Sequence, residues 1–282
     1  MSAVESALVS TNWLDNHRRD PEIRVVDATY FLPTVPRDAE KEFVERHIPG
    51  AVRFDIDAIK DDRNPLPHML PPPAEFAEKV GALGLGDDTR IIAYDALGLV
   101  SAARAWWMFR VFGHDRVCVL DGGLPKWLRE GRPLEKGPAK PRPARFTPRL
   151  RPELVRSLDA VRAELRGGRA AVVDARSKGR FVGIEPEFRA GLKSGHMPGA
   201  KNLPYTELFA ADGTLLPAAE ILERFEGAGV DLDGPVTTTC GSGVTACVLA
   251  FALHLAGKEG AAVYDGSWSE WGGREDTEIA TG

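Results

Sequence analysis

The chain has 282 residues, of which 43% are hydrophobic and 27% charged, and its formal net charge is -5 at pH 7. These proportions are typical of a soluble globular protein, and the length favours two domains of about 140 residues each. The acidic balance argues against general binding to nucleic acids or anionic membranes. We therefore expect neither a nucleic acid nor a membrane among the partners of this protein.

Three cysteines, Cys118, Cys240 and Cys247, are too few for a disulfide framework, and none belongs to a C-x-x-C pair. This usage favours a reducing compartment, and we expect a cytoplasmic protein. Residues 1–20 lack the basic start and apolar run of a signal peptide. The longest apolar stretch follows Cys240 and is shorter than the roughly 20 residues of a membrane span, which predicts a buried helix.

Helices and short apolar strands alternate along the first half of the chain. In order, we predict a helix over 4–19, a strand over 23–30, a helical stretch over 38–52, a polar Pro-rich loop over 53–73, a helix over 73–86, a strand over 90–95, a helix over 101–114, a strand over 117–123 and a last helical turn over 124–131.

The same order of motifs then recurs in the second half. VVDA at Val25 returns at Val172, an offset of 147 residues, and HIPGAV at His47 returns as HMPGAK at His196, an offset of 149. The strand ending at Asp95 aligns with the strand before Cys240, at an offset of 145. Separate matches at nearly constant offset indicate two copies of one domain. Strands alternating with helices predict an α/β fold in which each copy has a mostly parallel sheet with helices on both faces.

We place the first domain at 1–136, a linker at 137–156 and the second domain at 157–282. The linker is rich in proline and arginine, which favours an extended segment whose charges are solvated or paired with acidic surfaces. A nucleic-acid-binding tail is the alternative, although it would require more basic charge and less proline.

The segment from Val236 to Gly257 changes from a β-branched run to an apolar helix, with the loop CGSGVTA between them. A strand that turns sharply into a helix collects free backbone N–H groups, which stabilise an anion at the turn. Cys240 is the first residue of this loop, so its thiolate should be favoured. We predict a nucleophilic cysteine cradled by backbone donors, whereas Cys118 and Cys247 are predicted to be buried small hydrophobic residues.

Three other interpretations of this loop are weaker. A purely structural cysteine is disfavoured because the first copy has Asp95 at the aligned position and makes the same turn without a thiol. The pattern G-x-G-x-x-A fits part of a dinucleotide fingerprint, but it falls late in its domain. A cysteine phosphatase requires arginine six positions after the nucleophile, and this chain has Ala246 there.

The loop after the second VVDA carries charges that could face the cysteine. Its basic residues are Arg176, Lys178, Arg180, Arg189 and Lys193. A solvated surface is one interpretation, and the other is that two of the arginines hold a small carboxylate through bidentate hydrogen bonds. Asp57, His68 and Ser242 form a further candidate group that spacing alone does not connect.

The chain resembles the two-domain sulfurtransferases of the rhodanese superfamily from about Val25 to Trp271. The motifs that carry the resemblance are HIPGAVRFD, AWWMFRVFGH, LDGGLPKW, GRFVGIEPEFR, SGHMPGAKNLP and CGSGVTAC. The resemblance implies two tandem rhodanese-like domains, of which the first is catalytically silent and the second carries the catalytic cysteine, here Cys240. It implies no metal and no organic cofactor.

The loop after the cysteine separates two branches of that family. Sulfurtransferases acting on thiosulfate have basic residues after the cysteine, whereas this chain has Gly241 and Ser242, as in the branch acting on 3-mercaptopyruvate. The resemblance implies that Arg180 and Arg189 hold the substrate, and that Ser242, Asp57 and His68 handle protons. The persulfide would lie against the backbone of the loop residues Gly241, Gly243, Val244 and Thr245.

The expected reaction moves sulfur from 3-mercaptopyruvate through a Cys240 persulfide, releasing pyruvate. The acceptor would be a small thiol, a thioredoxin-like protein or cyanide. A thiosulfate:cyanide sulfurtransferase is the nearest alternative, and a non-catalytic sulfur-carrier module is the alternative from another class.

Overall fold

A computed structural model describes residues 6–282, and the chain divides into two units. The first comprises the residues up to Lys60, Leu70–Leu150 and Ala211–Leu215, and the second comprises Asp61–Met69, Arg151–Ala210 and Leu216–Gly282. Each unit therefore includes a short segment that is distant in sequence from the rest of it.

The first unit is built on a parallel sheet of five described strands in the order β1-β5-β4-β2-β3. The strands are β1 (Leu8–Val9), β2 (Ile23–Asp27), β3 (Val52–Arg53), β4 (Arg90–Tyr94) and β5 (Val117–Leu120). The helices are α1 (Thr11–His17), α2 (Ala39–Glu45), α3 (Ile56–Ile59), α4 (Pro73–Ala82), α5 (Ser101–Val111) and α6 (Gly123–Arg129).

The second unit repeats this plan with a five-stranded parallel sheet in the order β6-β10-β9-β7-β8. Its strands are β6 (Val155–Arg156), β7 (Ala171–Asp174), β8 (Lys201–Asn202), β9 (Val236–Thr239) and β10 (Ala262–Tyr264). Its helices are α7 (Leu158–Gly167), α8 (Lys178–Val182), α9 (Ala218–Gly227), α10 (Ala246–Leu255) and α11 (Ser267–Trp271), and 3-10 turns occupy Pro152–Leu154 and Tyr205–Leu208. Each strand has its counterpart at the same place in the first sheet, which confirms the α/β repeat.

Two nearly fully buried helices follow the central strands, because parallel sheets are covered on both faces. In α5 only Arg110 is not buried, and in α10 every residue from Ala246 to Leu253 is buried. The prediction of a buried helix after Cys240 is confirmed. Among the described residues, no helix combines the length and apolarity needed to cross a bilayer.

Local side-chain hydrogen bonds make several elements shorter than predicted. The helix predicted over 4–19 begins at Thr11, because Ser10 caps it by accepting from the Trp13 N–H, and Leu8–Val9 pairs with β5 instead. Residues 4 and 5 of that prediction lie outside the described chain. The strand predicted over 23–30 ends at Asp27, whose carboxylate accepts from the Thr29 N–H and turns the backbone. The predicted loop over 53–73 contains α3, which Asp55 caps.

The proline- and arginine-rich segment is bound to the first unit up to residue 150. The Ala144 N–H donates to the Gly81 carbonyl, and the Arg149 N–H donates to the Phe112 carbonyl. The Phe146 ring is 7% exposed and lies 5.5 Å from Phe76 between ring centroids. Part of the segment therefore belongs to the core of the first unit and is not a solvated linker. The domain boundaries at 136 and 157 stay a prediction.

Replacing Phe146 by alanine tests this packing. Removing a buried ring leaves a cavity, so we expect Phe146→Ala to lower the free energy of unfolding by about 3–5 kcal/mol. Leu150, at the end of the same segment, is 52% exposed, and Leu150→Ala should change the free energy by less than about 0.5 kcal/mol. Urea unfolding followed by tryptophan fluorescence measures both. Equal effects would show that Phe146 is not part of the core.

Candidate active site

Cys240 lies between the end of β9 and the start of α10, and its side chain is buried at 1% exposure. Its N–H donates to the Ser267 hydroxyl at 3.2 Å, and its carbonyl accepts from the Trp268 N–H at 2.9 Å. The Gly241 carbonyl accepts from both the N–H and the hydroxyl of Ser269. The cysteine loop is therefore held by helix α11, which immediately follows the neighbouring strand.

The backbone of this loop offers donors to an anion. Within the described residues, no protein group accepts a hydrogen bond from the N–H of Gly241, Ser242 or Thr245. Gly243 has the positive φ of 77° that the sharp turn requires. Free N–H groups ahead of a ten-residue helix form an environment that suits a bound anionic group.

The first unit shows what the equivalent turn does when no thiol is present. The Asp95 carboxylate, fully buried, accepts from the N–H groups of Leu97, Val100 and Ala102 at 2.7–2.8 Å. Burial raises the pKa of this carboxyl, and the three N–H bonds oppose that rise. The Thr29 hydroxyl accepts from the next donor, the Ala96 N–H, at 3.0 Å. The turn therefore binds an anion in the first unit, supplied by the chain itself.

Ser267 was not identified from the sequence. It adopts a φ of 48°, in the left-handed region that favours glycine, and the first unit has Gly123 with a φ of 52° at the aligned position. Its hydroxyl accepts from the Cys240 N–H and donates to the Tyr264 carbonyl at 2.8 Å. A serine where the backbone favours glycine, in the motif DGSW, is the sequence signal that could have indicated this contact.

Arg180, in α8, lies directly against the cysteine loop. Its Nη2 is 3.0 Å from the place where a side chain at Gly241 would begin. The ring of Phe188 covers the guanidinium, with Cζ 4.4 Å from the ring centroid, and Glu187 accepts from Nε and Nη2. The predicted substrate arginine is thus one residue away from the predicted nucleophile, and a side chain at residue 241 would require the Arg180 guanidinium to shift.

Arg176 has an internal role instead of facing a ligand. Its side chain is 0% exposed, and it pairs with the Asp174 carboxylate at 2.6 Å and with Glu187 at 2.7 Å. It also donates to the Gly195 carbonyl and lies over the Trp268 ring at 4.2 Å. Asp174, Arg176, Glu187 and Arg180 form a continuous chain of ion pairs, which we call the ion chain. Glu187 was not identified from the sequence, although this second glutamate of EPEFR lies close in sequence to Arg176 and Arg180, the two arginines that it joins.

His68 and Arg189 meet within the second unit. Arg189 Nη2 lies 3.4 Å from His68 Nε2, and the arginine can only donate in this contact. His68 is 3% exposed and has a φ of 60°, which is unusual for a residue other than glycine. Asp57 lies in α3 of the first unit, and its grouping with His68 and Ser242 stays a prediction.

The remaining candidates are less suited to binding a ligand. Lys193 Nζ donates to the Arg274 carbonyl at 2.8 Å, and Lys178 is exposed. Cys118 and Cys247 are 4% and 0% exposed, which confirms that both are buried. The Cys247 thiol donates to the Gly243 carbonyl at 3.1 Å and supports the turn from within the core.

Comparison with known proteins accounts for the repeated fold and the single cysteine loop. Residues 10–130 and 157–274 both match the family described as the rhodanese-like domain. The chain belongs to the rhodanese family. Its second rhodanese domain contains Cys240, and its first has Asp95 at the aligned position.

Relatives of two kinds are similarly close to this rhodanese chain. Human 3-mercaptopyruvate sulfurtransferase is 46% identical over 271 residues, covering 94% of this chain and 91% of the relative. Bovine thiosulfate sulfurtransferase is 45% identical over 272 residues, with the same coverage of 94% and 91%. The crystal structure of SseA from Escherichia coli, described among 3-mercaptopyruvate sulfotransferases, is 40% identical and superimposes with a TM-score of 0.85, covering 93% of this chain and 99% of that one.

The ion chain should make a large contribution to the stability of the second rhodanese domain. Arg176→Met leaves the Asp174 carboxylate buried without its cation, and we expect a loss of about 3–5 kcal/mol in the free energy of unfolding. Arg274 pairs with Asp276 at the exposed surface and is the control, for which Arg274→Met should leave the urea midpoint unchanged. A loss no larger for Arg176→Met than for the control would contradict the buried network.

Proposed function

We propose that this protein is a sulfurtransferase that takes sulfur from 3-mercaptopyruvate through a persulfide on Cys240. The observation that carries the proposal is the position of the Arg180 guanidinium, 3.0 Å from the side-chain position of Gly241 and therefore next to the cysteine. A nucleophile with free backbone donors on one side and a fixed cation on the other suits a small anionic donor of sulfur.

The donor is assigned from the charges and the space at the loop. 3-Mercaptopyruvate is a monoanion whose carboxylate requires a bidentate partner, and Arg180 and Arg189 supply two guanidinium groups. Thiosulfate is an inorganic dianion that is better matched by basic side chains on the loop itself. Gly241 and Ser242 place no cation there, and Gly241 leaves its space to Arg180. Relatives of both kinds are almost equally identical to this chain, so overall identity does not distinguish the two sulfur donors. The residues of the cysteine loop support 3-mercaptopyruvate better than overall identity does.

The first half-reaction forms the persulfide. The Cys240 thiolate attacks the sulfur of the donor, a sulfur–sulfur bond forms and the carbon–sulfur bond breaks. The electron pair of the broken bond stays with the organic fragment, which leaves as the enolate of pyruvate and takes up a proton. The N–H groups of Gly241, Ser242 and Thr245, together with the loop residues Gly243 and Val244, surround the outer sulfur.

Proton transfer is assigned to Ser242, His68 and Asp57. Ser242 belongs to the cysteine loop, and it is 5% exposed, so a proton that it transfers is shielded from water. The imidazole of His68 can accept a proton at Nε2 once the contact of that nitrogen with Arg189 opens. Asp57 would complete the group.

The second half-reaction transfers the outer sulfur to a nucleophilic acceptor. A small thiol, a thioredoxin-like protein or cyanide attacks the outer sulfur, which leaves Cys240 as a thiolate ready for another cycle. We also propose that the protein works in the cytoplasm, because a persulfide cycle requires a reducing compartment and no disulfide joins the cysteines of the described chain. Cell fractionation tests the location independently of the activity.

A steady-state assay with two sulfur donors tests the proposed function. We expect kcat/KM for 3-mercaptopyruvate to exceed that for thiosulfate, with repeated release of pyruvate and a gain of about 32 Da on the donor-treated protein. Cys240→Ser should abolish both activity and mass gain while keeping the wild-type unfolding midpoint. Cys118→Ser, in the domain that lacks the cysteine loop, is the matched control and should keep both. Preference for thiosulfate would support the other sulfurtransferase. A mass gain without turnover would indicate a sulfur carrier.

The two arginines should contribute strongly to use of 3-mercaptopyruvate. We expect Arg180→Met or Arg189→Met to reduce transition-state stabilisation by roughly 2–4 kcal/mol, the cost of leaving a held charge without its partner. Arg166→Met, at an exposed position of the same domain, should have no effect. The measurement is kcat/KM with 3-mercaptopyruvate for each variant. Losses below about tenfold, or 1.4 kcal/mol, would mean that the arginines do not bind the carboxylate.

A further inference from the structure

Glu187 lies between two guanidinium groups of the second rhodanese domain, and its side chain is 2% exposed. Its Oε1 is 2.7 Å from Arg176 Nη1 and 3.2 Å from Arg180 Nε, and its Oε2 accepts from Arg180 Nη2. One carboxylate therefore connects a fully enclosed arginine to the arginine at the cysteine loop.

The enclosed end of this connection is rigid. Arg176 is fixed by the Asp174 carboxylate, by the Gly195 carbonyl and by the ring of Trp268. Because all of these partners are buried or belong to the backbone, Arg176 provides a fixed point to which Glu187 is bound. Displacing Glu187 would leave Nη1 of this buried guanidinium without its acceptor, which is costly.

At the other end of this connection, Glu187 determines which edge of the Arg180 guanidinium faces the cysteine loop. A guanidinium has five N–H groups, and Glu187 occupies Nε and one N–H of Nη2. The edge formed by Nη1 and Nη2 stays available as a bidentate fork. These two nitrogens lie 4.0 and 3.0 Å from the side-chain position of Gly241, and the Phe188 ring covers one face of the same group.

We infer that Glu187 is a positioning residue, which holds Arg180 so that its Nη1–Nη2 edge meets the carboxylate of the sulfur donor beside Cys240. This inference rests on the proposed function. Glu187 does not touch the substrate, because both its carboxylate oxygens bind arginines.

A positioning role and a purely electrostatic role predict opposite results. The ion chain contains two carboxylates and two guanidinium groups, so it is neutral. Glu187→Gln leaves it with one excess positive charge and nearly unchanged volume. If Glu187 only reduced the charge of Arg180, the variant would bind an anionic donor more tightly and KM would fall. If Glu187 orients the fork, kcat/KM falls instead.

The kinetic test compares Glu187→Gln with Glu185→Gln. Glu185 lies in the same loop, but it accepts from the Ser177 hydroxyl at 2.7 Å and is exposed. For 3-mercaptopyruvate we expect kcat/KM to fall about 10- to 100-fold in Glu187→Gln, the range for a misplaced positioning group, and less than about twofold in the control. Persulfide formation with inorganic polysulfide, which has no carboxylate, should change equally little in both variants. A lower KM with unchanged kcat would overturn the inference.

A double-mutant cycle shows whether Glu187 acts through Arg180. Lysine keeps the charge but has no planar fork, so Glu187→Gln should add less than about twofold to the loss caused by Arg180→Lys. The full 10- to 100-fold loss in both backgrounds would mean that Glu187 acts by another route and would overturn the inference. Circular dichroism and the thermal midpoint identify any variant that does not fold.

Hydrogen exchange in the wild-type protein tests the contact without any need for a folded Glu187 variant. The Arg180 Nε–H signal, assigned by its loss in Arg180→Lys, should exchange with water at least about tenfold more slowly than the signal of exposed Arg166, because it is hydrogen-bonded and largely buried. Equal exchange rates would overturn the inference. Wild-type protein that releases no pyruvate from 3-mercaptopyruvate would refute the proposed function instead, and the exchange rates would still decide whether Glu187 holds Arg180.

Discussion

The strand-to-helix turn that follows the central strand of each sheet presents several backbone N–H groups, and the two units use these donors differently. In the first unit the turn is filled by its own side chains, since Asp95 accepts from three N–H groups and Thr29 from a fourth. In the second unit the aligned residues are Cys240 and Arg176, and the N–H groups of the turn are left available. The same backbone is a closed structural motif in one copy and leaves its N–H donors open in the other.

The exchange of Thr29 for Arg176 has a second consequence. Both residues follow an aspartate that turns the backbone in the same way, with N–H to carboxylate distances of 2.9 Å. Thr29 uses its short side chain to accept from the neighbouring turn, whereas Arg176 extends away and begins the ion chain that ends at Arg180. One change of residue type therefore frees one N–H group of the turn and also connects the core to a cation beside it.

The sequence predicted those features that depend on repetition and local pattern. The motif offsets identified the two copies and paired Asp95 with Cys240, and the apolar run after the loop identified the buried helix α10. Contacts between side chains distant in sequence could not be derived in this way. The bond from Cys240 to Ser267 spans 27 residues, and only comparison with the aligned Gly123 of the first copy points to the φ of Ser267. The helix predicted over 4–19 was too long because pairing of Leu8–Val9 with a distant strand overrode local propensity.

Gly241 links the fold to the proposed chemistry because its missing side chain leaves space beside the cysteine loop. A β-carbon there would meet Arg180 Nη2 at 3.0 Å, tighter than an ordinary van der Waals contact. Arg180 cannot easily move aside, because Glu187 binds its edge and the Phe188 ring covers its face. A loop side chain at 241 would therefore crowd the guanidinium that α8 holds beside the cysteine. A cation on the loop would move with the backbone next to the sulfur, whereas a cation anchored in the core through Glu187 stays at a set distance from it. Such a fixed distance suits a donor whose carboxylate and sulfur are separated by a carbon skeleton.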